Sequence, residues 1–226
     1  MKKNSLTTLQ EHLKAKRYSE AISLLFRLDA DEMAPWINYY AIAECYRLAH
    51  DLPNAIYFME NAHTLQPDMP LIAYKLGILY ALNLDDNEAI SQFHMLLHQD
   101  KRYVPFYNRM GLLYARRGEV QRALLWYYRG LEELECLRRE KISYSLWQDD
   151  RLESVLGFSF EWKEIEQEQD LAQLEQVIRN NIGVCYYEMG NYSRAKTWFK
   201  ASIDSMPEGV VFPDPLVYMQ ALEKVG

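Results

Sequence analysis

The chain has 226 residues, 49% of them hydrophobic and 25% charged, which is enough for a sizeable core and places it in the ordinary soluble globular class. A net charge of −7 disfavours nucleic acid as a partner, because phosphates need a basic surface. The first residues, Met1-Lys2-Lys3-Asn4-Ser5-Leu6, continue into polar Thr7, Thr8, Gln10 and Glu11, so no apolar secretory core follows the lysines, and no apolar run approaches a membrane span. A cytoplasmic protein with no membrane partner is expected. The cysteines Cys45, Cys136 and Cys185 are odd in number and far apart, which argues against a disulfide framework or a zinc site.

Taken in order, the chain repeats. Ala21, Ala55, Ala89 and Ala123 recur at steps of 34 residues, each on the second of two short helical segments. The first unit carries Leu9, His12, Tyr18, Ala21 and Leu25. The second has Tyr39, Ile42, Ala43, Tyr46, Met59 and Pro67; the third Leu76, Gly77, Tyr80 and Phe93; the fourth Tyr107, Met110, Gly111, Tyr114, Gly118 and Tyr127. The next alanine in register is Ala195, 72 residues after Ala123, so 38 residues are inserted. The fourth unit's second helix is expected to run on through Leu131, Leu134 and Leu137, and Ile165 to Glu175 reads as a helical lead-in to the fifth unit. Between them, Tyr144 to Trp162 holds eight large apolar side chains, too many for a solvated linker. From Arg138 to Glu175 there are ten acidic and five basic residues, a net of −5 out of the chain's −7.

The last unit is the clearest. Ile182, Gly183 and Tyr186 have helical spacing, Gly190 and Asn191 end that helix, and Ala195 and Phe199 lie one turn apart on the next, which Pro207 stops. Gly183 and Ala195 allow two helix backbones to approach, with Tyr186 and Phe199 filling the space beside them. Asp214-Pro215 then starts a further helix well, with Asp at the cap and Pro at the first helical position.

This pattern resembles the tetratricopeptide repeat (TPR), a 34-residue helix-turn-helix unit. The resemblance implies an all-α, right-handed α-solenoid forming a single domain over 1–226. Repeats fall at about 2–35, 36–69, 70–103, 104–137 and 176–209, with a helical insert at 138–175 and a capping helix at 214–224 that shields the last apolar face. It also implies that one face of each first helix lines a groove. Those positions hold Tyr40, Glu44, Arg47, Tyr74, Lys75, Asn108, Arg109, Arg116, Asn180, Asn181 and Tyr187, and the charged groove residues, counting Lys3, Lys14 and Glu188, are six basic against two acidic. A basic lining in an acidic protein points to an acidic ligand, and the asparagines suit an extended peptide backbone, whose N–H and C=O an amide can pair together. Lys75 and Arg109 are expected to stand on neighbouring first helices and to tolerate charge reversal without loss of the fold.

The carboxylate clamp that some family members use on heat-shock chaperones is not matched: Leu6, Gln10, Ala41 and Leu71 occupy its slots and only Lys75 fits. The stack of Lys75, Arg109 and Asn181, with Asn108 and Asn180 beside it, is more similar to the peptide-facing residues of bacterial pheromone receptors. The leading expectation is therefore a non-enzymatic protein-protein interaction module. The alternative is a peptide-responsive regulator that acts through another protein, since the repeats begin almost at residue 1. The insert Tyr144–Trp162 is expected to be docked on the protein or on a second copy of it, the latter giving a homodimer. No catalytic residue, cofactor or metal site is expected: His94 and His98 share a helix face but have no third ligand, and no nucleophile elbow or phosphate-cradling glycine loop occurs.

Overall fold

The computed structural model describes residues 5–99, 103–140, 152, 156, 160, 171–204, 215, 217–220 and 222, and the chain divides into two compact units. Met1–Leu96 and Trp147–Glu161 make the first; Leu97–Leu146 and Trp162–Gly226 make the second. Among the described residues there are helices and no strands.

The first unit contains α1 (Ser5–Lys14), α2 (Tyr18–Leu25), α3 (Pro35–Leu48), α4 (Leu52–Leu65), α5 (Pro70–Leu82) and, up to Leu96, α6 (Asp86–Gln99). Each helix from α1 to α4 packs on its successor. The second unit contains α7 (Val104–Arg116), the long α8 (Val120–Glu140), α9 (Leu171–Glu188) and α10 (Tyr192–Asp204), with α9 packed on α7, α8 and α10. The continuation of α8 through Leu137 is as expected. The lead-in to α9 is described from Leu171; residues 165–170 lie outside the described residues, as do most of the insert and part of 214–224. Pro215, Val217 to Gln220 and Leu222 are helical, and Tyr218 stacks on Phe199 at 5.0 Å.

Two devices recur at the sequence period. Ala21, Ala55, Ala89, Ala123 and Ala195 are all fully buried, so the backbones meet wherever the alanine stands. Opposite, a first-helix glycine receives an aromatic ring sixteen residues later: a Cβ on Gly77 would lie 2.7 Å from Phe93 and one on Gly183 2.5 Å from Phe199, and the same holds for Gly111 and Tyr127. The second device is the turn. Lys16, His50, Leu84, Gly118 and Gly190 all have positive φ, from 55° to 75°, and their N–H groups return to the preceding helix, as Leu84 does to Ala81 and Gly118 to Ala115. The following helix begins two residues later. Asp51 Oδ1 accepts from the Asn54 N–H at 3.2 Å and Asn191 Oδ1 from the Arg194 N–H at 3.2 Å, satisfying donors that a helix start leaves unpaired.

Candidate functional site

In the first unit the groove positions of α3 and α5 converge on one buried charge cluster. Tyr40, Glu44 and Arg47 follow one another at four and three residues, hence on one side of α3. The opposite side of that helix is taken by Tyr39 and Tyr46, which pack against Phe58 of α4. Glu44 is fully buried and accepts from Lys75 Nζ at 2.7 Å and from Arg47 Nε at 2.9 Å. Lys75, 5% exposed, also donates to the Tyr40 hydroxyl and stands 4.7 Å from the centre of that ring. Burial pushes the Glu44 carboxyl up, but Lys75 and Arg47 outweigh it and hold it below the usual carboxylate range. Burial pulls the Lys75 ammonium below its usual value, with Glu44 opposing. Tyr74 is fully buried, its ring 5.8 Å from Phe93 of α6.

These positions correct one expectation. Lys75 is not a groove charge that can be reversed at no cost to the fold, because a carboxylate at 75 would face Glu44 in a site shut off from water. Sequence spacing put both residues in the groove set but carried no signal that they neutralise each other. It also missed Phe160 as a neighbour of Tyr40; the two rings meet edge to face with centroids 6.1 Å apart.

The second unit presents amides. Asn108 of α7 is buried and accepts from Asn181 Nδ2 of α9 at 3.1 Å. Asn180 and Gln176 lie one turn apart on α9, both buried, and the Asn180 Oδ1 and both side-chain polar atoms of Gln176 have no hydrogen-bond partner among the described residues. Gln176 was not among the sequence candidates, although its spacing of four from Asn180 was a usable signal. Arg109 is half-buried and Arg116 exposed at the end of α7. Tyr187 is half-buried between Tyr192 and Tyr218, at 5.4 and 5.2 Å. Behind this face, Glu175 joins three helices: it accepts from Arg138 of α8 and, at 2.5 Å, from Arg179, whose other nitrogen reaches the Ala201 carbonyl of α10.

Cys45 and Cys185 are buried in equivalent places, and burial pushes each thiol up to about 12, far from a thiolate nucleophile. Among the described residues no group of three metal-ligating side chains forms, and no helix is long and apolar enough to cross a membrane.

No protein-family model and no curated protein matches the chain. Solved structures do. The C-terminal part of a TPR repeat-containing protein from Cytophaga hutchinsonii matches at a TM-score of 0.63 over 96% of this chain and 69% of that one, with 14% identity. The chain has the tetratricopeptide-repeat fold. A MamA protein shares this TPR fold at a TM-score of 0.64, 15% identity and coverage of 93% and 99%. MamA from Desulfovibrio magneticus RS-1 does so at 0.64, 11% identity and coverage of 89% and 92%. In TPR terms the buried charge cluster and the amide set both occupy first-helix positions.

Proposed function

We propose that this protein is a non-enzymatic, cytoplasmic interaction module that holds an extended acidic segment of a partner protein against α7 and α9. The observation that carries this reading is the bond from Asn181 to Asn108. Two carboxamides bonded once to each other are fixed across two helices, and the pair keeps one amide donor group on Asn108 and one carbonyl acceptor on Asn181. A peptide unit offers the complementary acceptor and donor. Asn180 adds an amide on the same helix, Arg109 and Arg116 supply positive charge, and Tyr187 gives a flat face.

The test starts with a partner recovered by affinity pull-down and identified by mass spectrometry. Asn108→Ala with Asn181→Ala should weaken it at least tenfold, on the order of 1.4 kcal/mol for two lost hydrogen bonds, with no change in salt dependence. Arg109→Glu with Arg116→Glu should weaken it and alter the salt dependence as well. A partner that binds all these variants like the wild type would place the binding surface elsewhere.

A further inference from the structure

The face of α3 and α5 around Tyr40 is closed off from water. Both helices turn their other sides to hairpin partners, α3 through Tyr39 and Tyr46 and α5 through Gly77 against Phe93. Yet Tyr40 is 3% exposed and Lys75 5%. The 38-residue insertion contributes one contact there, through Phe160. Leu152, Leu156 and Phe160 are all buried, the first two helical and four apart in sequence, and Phe160 meets Tyr40 edge to face. Charge agrees with this pairing: Glu44, Lys75 and Arg47 together carry a net positive charge, while residues 144–162 hold four acidic residues and one basic.

We propose that Leu152, Leu156 and Phe160 form an internal ligand on this face. The face is therefore a docking site for a partner segment of the same chemistry: an acidic amphipathic helix with two leucines one turn apart and an aromatic anchor four residues further on. The aromatic ring packs on Tyr40, whose hydroxyl and ring the Lys75 ammonium also contacts. A partner of this kind binds only by displacing the chain's own segment, so its apparent affinity is lowered by the fraction of molecules in which the segment is docked. The proposal rests on the reading of the chain as an interaction module but concerns a different face from the amide set.

The test uses a fluorescein-labelled peptide of residues 144–162 and the full-length protein. The Leu152→Ala, Leu156→Ala, Phe160→Ala triple variant should bind the peptide about tenfold or more tighter than the wild type, corresponding to a resident segment docked at least nine-tenths of the time. Adding Tyr40→Ala should abolish that gain, whereas adding Asn108→Ala and Asn181→Ala should leave it intact. If the triple variant loses the wild-type helical circular dichroism, Phe160→Ala alone should show a gain in the same direction. Equal binding to wild type and a folded variant, or no binding to the folded variant, would overturn the proposal. Loss of peptide binding through the asparagine changes would also overturn it, by moving the peptide to the second unit. Weak binding of a recovered partner to the asparagine variants bears on the amide face alone.

Discussion

The α3–α5 face of the first unit and the α7–α9 face of the second use the same repeat positions to opposite effect. In the first, Glu44 lies between two cations, Lys75 and Arg47, and pairs with both. In the second, amides replace the ion pair, and the Asn180 carbonyl oxygen is buried with no partner among the described residues. A shared helix-turn-helix frame therefore leaves the groove positions chemically independent, and what a unit binds follows from a handful of side chains rather than from the fold.

The sharpest way to break that comparison is to remove the central group of each face. Glu44→Ala should cost about 3–5 kcal/mol, because it strands the Lys75 ammonium away from water. Asn180→Ala should stay within about 0.5 kcal/mol, since the deleted carbonyl oxygen makes no hydrogen bond. Thermal melts of the two variants decide it; similar losses would mean that the faces are not as different as their partners suggest.

Packing common to both units should respond alike. Gly111→Leu drives a side chain into Tyr127 and Gly77→Leu into Phe93, each costing about 1–3 kcal/mol by overpacking. A variant with an unchanged melting temperature would show a unit able to move its rings aside.

Acid compares the two bridging carboxylates. Burial raises both Glu44 and Glu175, and in each case two cations outweigh it, Lys75 and Arg47 for the first and Arg138 and Arg179 for the second. A carboxyl with a depressed folded pKa stabilises fully above the unfolded range, about pH 4.3, and loses that contribution as pH falls through its folded value. The stability difference between wild type and Glu175→Gln, about 1.5 kcal/mol given the half-exposed Arg138, should be constant from pH 7 to 5 and shrink below pH 4. A difference independent of pH in denaturant titrations would rule out the ion pairs as its source.

The smallest effect sharpens the contrast at the turns. Leu84 is 71% exposed with φ +67°, where the second unit's equivalent is Gly118 at +75°. Leu84→Gly removes the strain of a branched side chain in a left-handed conformation and should raise stability by about 0.5–1 kcal/mol. A lower melting temperature would mean that the side chain contributes packing.

The repeat frame was legible in the sequence because its determinants are local: the small residue on each second helix, the aromatic sixteen residues after each first-helix glycine, and the turn. Lys16, His50 and Leu84 were not readable as left-handed from residue type, and only the period marks them as equivalents of Gly118 and Gly190. The site was less legible. Helical spacing put Tyr40, Glu44 and Arg47 on one side of α3, but pairing Glu44 with Lys75 needs the distance between two helices. Phe160 on Tyr40 depends on how the insertion returns, which no periodicity encodes.

That return has a consequence in time. Phe160 follows Tyr40 by 120 residues, whereas each helix hairpin closes within about one repeat of its own synthesis. At roughly 5–20 residues per second on the ribosome, the helices α3 and α5 can pair once Leu82 is made, 78 residues before Phe160, and the Tyr40 face then stands open for about 4–16 seconds of translation. A nascent chain therefore exposes to the cell, for that interval, a surface that the finished protein covers with its own residue.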